Sequence, residues 1–567
     1  MSDQLSLPAI TNKHQTNKGL VKWIKYAIVP IVIIGSILIG LLQIQAPRAV
    51  DSSAPLDVFS SARAMEKLKV IAKEPHPLGT PAHDQVRDYL MSELVSLGLS
   101  PEIQKAHVTS DVSSKFSEVS GTIENIITRI PGTDNSKAIM LAAHYDSTPN
   151  GPGAADDGVG IAAMLETIRA IQASGPLKND LILLMTDGEE EGLLGAKAFM
   201  TEHPWAKDVG LVFNFEARGN KGPSFMFETS DQNGWIIKEF MKAAPYPIAY
   251  SLIYNVYKLM PNDTDLTIFR EKKLVGLNFA FAMGYNSYHK PMDTPENLDP
   301  SSLQHQGEYM LSLTRHFGNL ELDEVKQEDR VYFNVFGWKM VSYPLSWVNW
   351  FTLFGVLLFV ATLCHGIYRR RMSLKGLAGG FLITLLCSGV LFGVVTLLWS
   401  ILKSNVSKTQ LVLILKDPQV SIYYLIGLLV LSFIMIFLLI RWLSCYIRAE
   451  NVWIGALLLW LLLCVGTTIY LPGGSYLFTW PFIFSLFGLN MSLIMREGAW
   501  TWISVLFAAP GFILFTPIWY LVSVMMTLEL AGILAVLVSI AFSLVFPVFC
   551  TLQKRDIRAT HDAMVQP

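Results

Sequence analysis

His144-Tyr145-Asp146, Gly153-Ala154-Ala155-Asp156-Asp157-Gly158, Asp187-Gly188-Glu189-Glu190-Glu191, Glu216 and Tyr288-His289 are the residues of this chain whose types could do chemistry. They offer carboxylate oxygens and imidazole nitrogens, the hard to borderline donors that suit a catalytic divalent cation with open positions. A carboxylate that is not a ligand but lies beside an activated water can take its proton and pass it to a leaving amine. Cys364, Cys387, Cys445, Cys464 and Cys550 all fall in or beside apolar segments of the second half, so the globular part has no thiolate site and no disulfide framework. Taken singly, a histidine after a strand is usually structural and a glutamate run usually solvated. It is the joint placement of these groups that points to a site.

That placement follows from the elements around them. Ile123 to Ile130, Ala138 to Ala143, Asp180 to Met185, Gly210 to Phe215 and Leu274 to Phe279 read as strands, and all but the first are nearly continuous apolar runs. Such runs are typical of strands buried on both faces of a largely parallel sheet. Ser61 to Lys73, His83 to Leu97 and Gly160 to Ala173 carry helical periodicity between them. In sheets of this kind the ligand site lies beyond the carboxyl ends of the strands. His144, Asp187 to Glu191 and Glu216 come just after such runs, and Tyr288-His289 comes beyond Leu274 to Phe279. The small residues around Asp156-Asp157 let a loop approach closely while it presents a carboxylate at a helix start.

In this order, His144-x-Asp146, Gly153 to Gly158, Glu189-Glu190-Glu191-Gly192, Asn214-Phe215-Glu216 and Tyr288-His289-Lys290-Pro291-x-Asp293-Thr294 resemble the M28 family of zinc aminopeptidases over roughly residues 60 to 320. Pro75-His76-Pro77-Leu78-Gly79-Thr80 and Val331 to Gly337 resemble its multi-span membrane branch, which includes the endoplasmic-reticulum metallopeptidase and the vacuolar membrane protease. The resemblance implies a phosphorylase/hydrolase-like α/β domain, a mixed, largely parallel sheet with helices on both faces, followed by a polytopic α-helical membrane domain. It further implies two Zn²⁺ ions, with Asp156 bridging, His144 and Glu216 completing one site, and Glu190 and His289 the other. Glu189 is then the general base, Asp146 the partner of the other ring nitrogen of His144, and Tyr288 the group that stabilises the oxyanion, with a plain packing role as the competing reading. Asp157 is the alternative bridge, one residue on. Soluble relatives often carry Asp where this chain has Glu216. Arg218 and Asp265 lie in segments that often line the substrate pocket, and one sequence does not rank them against surface or sheet-end ion pairs.

With 51% hydrophobic and 16% charged residues, the chain is too apolar for an ordinary soluble protein, and its formal net charge of -2 gives no basic bias toward nucleic acid. The expected organisation is a cytoplasmic tail at 1–25, a signal-anchor helix at 26–44, a peptidase domain at 51–325, a linker at 326–346, about seven membrane helices within 347–552 and a cytoplasmic tail at 553–567. Spans are expected near 347–368, 377–401, 420–440, 452–471, 476–494, 501–523 and 530–552. Lys13, Lys18, Lys22 and Lys25 precede the first apolar stretch, which favours an uncleaved anchor over a cleaved signal peptide. Arg369 to Arg371, Arg441, Arg448, Arg496, Lys554 and Arg555 then fall on the cytoplasmic side, and the globular part on the other. The spans hold almost no ionisable residue, which disfavours transport.

The expected activity is hydrolysis of N-terminal residues from peptides at the non-cytoplasmic face of a membrane, with peptides and the bilayer as partners. A bacterial inner membrane with a periplasmic domain is expected, and a vacuolar or endoplasmic-reticulum membrane is the alternative. Rival readings are a carboxypeptidase, a one-metal glutaminyl-cyclase-like enzyme, or a non-catalytic receptor or chaperone that keeps the fold. The topology has a direct check. A reporter active only outside the cytoplasm works when fused after Asp329 and fails when fused after Arg371; the opposite pattern inverts the orientation.

Overall fold

Ala138–His144 has every residue buried and forms the middle strand of a sheet, as an apolar run without alternation should. A computed structural model describes residues 12–110, 118–134, 137–337, 339–416, 418–443, 447–494, 504–526 and 528–546. Arg496, Cys445, Cys550, Lys554, Arg555 and the tail expected at 553–567 lie outside the described residues. The strands are β1 (Glu102–Ser110), β2 (Val119–Ile130), β3 (Ala138–His144), β4 (Asp180–Thr186), β5 (Val209–Ala217), β6 (Phe225–Thr229) and β7 (Val275–Phe281). They form one seven-stranded sheet in the order β1-β2-β4-β3-β5-β7-β6. β3 runs parallel to β4 and β5, and β5 to β7, whereas β1, β2 and β6 join antiparallel at the flanks.

Strand residues alternate between two cores, as a period of two requires. The helices of the first half are α1 (Asn12–Leu42), α2 (Ser61–Ile71), α3 (Pro81–Ser96), α4 (Val159–Gln172), α5 (Leu194–Glu202), α6 (Gly234–Ala243), α7 (Ser251–Tyr257), α8 (Asp265–Glu271) and α9 (Pro300–Phe317). Ile139, Leu141 and Ala143 pack with residues of α2, α4 and α9. Ala138, Met140 and Ala142 pack on the opposite face with Phe199 of α5 and Leu266 and Phe269 of α8. Helix starts are capped as their sequences specify: Thr80, before Pro81, accepts from His83 N at 3.3 Å, and Asp299, before Pro300, from Ser301 N at 2.9 Å.

The second half holds a hairpin and a helical bundle. The segment read as a linker forms β8 (Arg330–Phe336) paired with β9 (Lys339–Pro344). The helices are α10 (Trp347–Tyr368), α11 (Leu374–Asn405), α12 (Lys408–Lys416), α13 (Pro418–Leu443), α14 (Ala449–Tyr470), α15 (Tyr476–Ile494), α16 (Ser504–Met526) and α17 (Ala531–Ser543). Among the described residues six helices are long and apolar enough to cross a membrane, α10, α11, α13, α14, α15 and α16, and two shorter apolar helices cover Ala27–Leu42 and Leu528–Ser543. The six long helices overlap the segments expected as spans between 347 and 523, and the two shorter ones overlap those expected at 26–44 and 530–552, of which 547–552 lie outside the described residues. The chain is therefore an integral membrane protein.

The two halves are joined by specific contacts. Phe333 of β8 stacks on Tyr476 at the start of α15, with centroids 4.3 Å apart and planes 7° from parallel. Ser251, the first residue of α7, donates to the Gly473 carbonyl at 2.6 Å between α14 and α15. Helix α1 lies so close to α16 that a Cβ on Gly40 would stand 2.6 Å from Thr516 Cβ. Pro517 inside α16 has no N–H to give the carbonyl four residues back. The buried Gln43 side chain donates to that carbonyl, Ile513 O, at 3.2 Å. Gln43→Met keeps the length and removes the donor, so the thermal midpoint of the purified full-length protein falls, by an effect on the order of 1 kcal/mol. An unchanged midpoint in a detergent melt shows that this contact contributes nothing.

Candidate metal and catalytic centre

The carboxyl ends of β3, β4, β5 and β7 converge, and each parallel strand delivers one part of the set at that rim. His144 is the last residue of β3, Glu216 sits near the end of β5, and the turn after β4 carries Glu189 and Glu190. The loop after β7 carries Tyr288 and His289, and the turn Ala154–Gly158 ahead of α4 carries Asp156 and Asp157, which are joined by a cis peptide bond. Gly153 starts that turn with φ of 69°, and a Cβ there would meet Asp156 O at 2.7 Å and Ser147 Cβ at 2.8 Å, so only glycine fits. His289 has φ of 55°, a left-handed conformation that costs a non-glycine residue energy and persists where the surroundings impose it.

Asp156 is the centre of the arrangement. Its Oδ1 is 3.3 Å from His144 Nε2 and its Oδ2 is 3.0 Å from His289 Nε2. Glu190 Oε1 lies 3.1 Å from the same His289 nitrogen, and Glu216 Oε2 lies 3.8 Å from His144 Nε2. Two groups have their ligand atoms within 4.8 Å of one another: His144, Asp156 and Glu190, and His144, Asp157 and Glu216. The structure thus brings together every metal ligand expected from the sequence, and it places the alternative residue, Asp157, against His144 and Glu216.

The electrostatics are unbalanced. Burial pushes Glu216 up to about 8, with Asp156 adding to the effect, and burial with the charge of Glu216 holds Glu189 and Asp157 far above the usual carboxylate range. Among the described residues no lysine or arginine forms an ion pair with Asp156, Asp157, Glu189, Glu190 or Glu216. Crowded carboxylates of this kind, with imidazole nitrogens between them and buried oxygens such as Asp157 Oδ2 left without a partner, are a fitting cradle for divalent cations.

The supporting residues differ in part from expectation. His144 Nδ1 lies 3.0 Å from the Asp146 main-chain oxygen and 3.5 Å from its carboxylate, so the carbonyl is the nearer acceptor. The Asp146 carboxylate instead accepts from Glu189 N and Glu190 N, each at 3.2 Å, and so fixes the turn that presents both glutamates. Asp293, quoted in the motif but given no role, does the same for the other loop: it accepts from Ala155 N at 2.8 Å and Asp156 N at 3.3 Å. Its only sequence signal was its place four residues after His289. Burial raises Asp293 to about 7. Tyr288 stacks on His289 with centroids 3.8 Å apart, and the Arg218 guanidinium lies 5.5 Å from the Tyr288 ring centre. Arg218 lines the cavity beside the cluster, whereas Asp265 is buried behind it and accepts from Thr186 Oγ1 at the end of β4.

Residues 125–314 match the model of peptidase family M28. Endoplasmic reticulum metallopeptidase 1 of Homo sapiens is 27% identical over 326 residues, covering 53% of this chain and 36% of that protein. The vacuolar membrane protease of Candida dubliniensis is 32% identical over 289 residues, covering 49% and 30%. The chain spans about a third of the length of these curated relatives. Among solved structures, the aminopeptidase from Aneurinibacillus sp. strain AM-1 aligns with 48% of this chain and 97% of that one at 14% identity, with a TM-score of 0.38. Residues 125–314, which include β3 to β7 of the seven-stranded sheet, thus match peptidase family M28.

Proposed function

We propose that the chain is a membrane-anchored dinuclear zinc exopeptidase that removes N-terminal residues from peptides on the non-cytoplasmic side. The observation that carries this reading is the position of Asp156, whose two oxygens face different histidines, His144 and His289, as a carboxylate shared by two cations must. His144 and Glu216 would complete one site, with Asp157 close behind it, and Glu190 and His289 the other. Bound zinc supplies Lewis acidity, which lowers the pKa of water and polarises the scissile carbonyl.

The chain's own residues do the rest. Glu189 lines the cavity beside the ligands, and no described side chain is paired with it, so once bound cations offset the neighbouring acids that hold its proton on, its carboxylate would accept a proton from water and return it to the leaving amine. Asp146 holds the Glu189 backbone and thereby sets where that proton is taken up. Tyr288 has its phenol pushed up by burial and by the charges of Asp156, Glu190 and Glu189, keeps its proton, and can donate to a developing oxyanion. Retention of donors for two cations favours this reading over a one-metal cyclase. The names of the relatives, an endoplasmic-reticulum metallopeptidase and a vacuolar membrane protease, favour a lumenal catalytic domain over a bacterial periplasmic one.

Two measurements check the assignment. The purified full-length protein carries close to two zinc ions per chain, and full activity at one ion counts against a dinuclear site. Glu189→Gln retains its zinc while kcat falls by at least about 100-fold with KM changed far less, and Glu190→Gln loses metal. Metal content and single-turnover rates decide it: zinc lost from Glu189→Gln but kept by Glu190→Gln would exchange the two roles, and full activity in both removes the catalytic reading.

A further inference from the structure

The cavity beside the carboxylates does not end within the peptidase domain. It has a volume of about 510 Å³, and Ile518, Leu521 and Val522 of α16 form part of its wall. These positions are spaced i, i+3 and i+4, so they share one face of the helix. The peptidase domain supplies the facing wall from Leu252, Ile253 and Val256 of α7 and from Phe225 and Phe227 of β6. Phe227 is itself held edge-on against Tyr257, with centroids 4.9 Å apart. Asp156, Glu189, Glu190, Glu216 and His289 line it together with two further charged residues, Arg218 and Asp263, and most of the remaining lining is aliphatic and aromatic. Ligand sites of about 300–1,000 Å³ lined in this way take drug-sized molecules, so the space exceeds what one small side chain needs.

We infer that α16 is a substrate-binding element: a membrane span forms one wall of the specificity pocket, which selects peptides with large apolar residues beside the scissile bond. The inference rests on the peptidase reading of the adjoining centre. Its physical basis is that an apolar side chain leaving water gains by burial against both walls at once, whereas a lysine or glutamate side chain held between these two apolar walls gives up its water. A chain tethered by one helix has no such wall. The close packing of α1 on α16 at Gly40 and Thr516 and the Gln43 hydrogen bond to Ile513 hold α16 against the domain edge. Tyr520, on the turn between Ile518 and Leu521, reaches Met283 Sδ in the loop after β7 at 3.9 Å.

The test uses the full-length, zinc-loaded protein in detergent micelles and two substitutions that change the wall in opposite directions, Leu521→Ala and Ile518→Trp. The expected result is that kcat/KM for peptides beginning Leu-Phe falls about 10- to 100-fold in both variants, while kcat/KM for a peptide beginning Ala-Ala changes less than about threefold. Zinc content and elution as a single species on size exclusion show that each variant is folded. Binding is read separately, by fluorescence polarisation of a labelled Leu-Phe-Leu peptide whose first amide is reduced and cannot be hydrolysed. Weakened binding of that probe in both folded variants supports the wall even if no peptide is turned over, an outcome that would remove the peptidase reading alone. Unchanged Leu-Phe to Ala-Ala selectivity, together with unchanged probe binding in both variants, overturns the inference.

Discussion

Mutual repulsion among Asp156, Asp157, Glu189, Glu190 and Glu216 is the constraint on which the rest of this structure depends. Carboxylates this close cannot all stay ionised in a low-dielectric recess without countercharge, and burial pushes Glu216 to about 8 even though His144 and a hydrogen bond from Asn214 oppose the shift. The fold answers with position. Each acid is placed at the end of a strand or in a tight turn, so none can swing away to water. The energy to hold them comes from elsewhere, chiefly the fully buried strands β3, β4 and β7. Such a centre is unfavourable for stability when empty of cations and favourable once they bind, because binding free energy adds to folding free energy.

That logic explains why two further aspartates carry no chemistry of their own. Asp146 accepts from the backbone of Glu189 and Glu190, and Asp293 from the backbone of Ala155 and Asp156. Each uses its charge chiefly on main-chain donors, which fixes a loop, and Asp146 Oδ1 also stands 3.5 Å from His144 Nδ1. A lysine or arginine that instead grasped the functional carboxylates would compete with bound cations, whereas the neutral amide of Asn214 donates to Glu216 Oε1 at 3.1 Å without adding charge.

Much of the fold and of the centre was legible in the sequence because both rest on local patterns. Uninterrupted apolar runs mark β3, β4, β5 and β7, and the groups just beyond their ends are those the structure gathers. The two edge strands, β1 and β6, were missed for physical reasons. β1 is half exposed, with Lys105 and His107 facing outward, and β6 has five residues. The hairpin of β8 and β9 was read as linker because its role is to dock Phe333 on Tyr476, a contact across 143 positions that no local pattern encodes. Asp146 was given to the His144 ring. Spacing of two residues puts both groups near each other, but only the fold shows that the carboxylate turns to the β4 loop while the main-chain carbonyl takes Nδ1.

The membrane half was legible as spans and opaque as function, since an apolar residue reads the same whether it faces lipid, another helix or a cavity. Geometry separates these cases. α16 carries Pro510 and Pro517 and would be a weak, kinked rod alone. Gln43 repairs the broken ladder at Ile513, and Gly40 admits Thr516 at a distance no larger residue allows. The repairs come from α1, the helix that leads directly into the peptidase domain, so the placement of α16 and of the domain edge are set by one connected unit. A tether needs no such coupling, because any apolar helix of sufficient length would serve. Coupling is needed where residues from both halves must keep a fixed distance, and Ile518, Leu521 and Val522 stand where that requirement is met, across one cavity from α7 and within reach of the same space as Glu189.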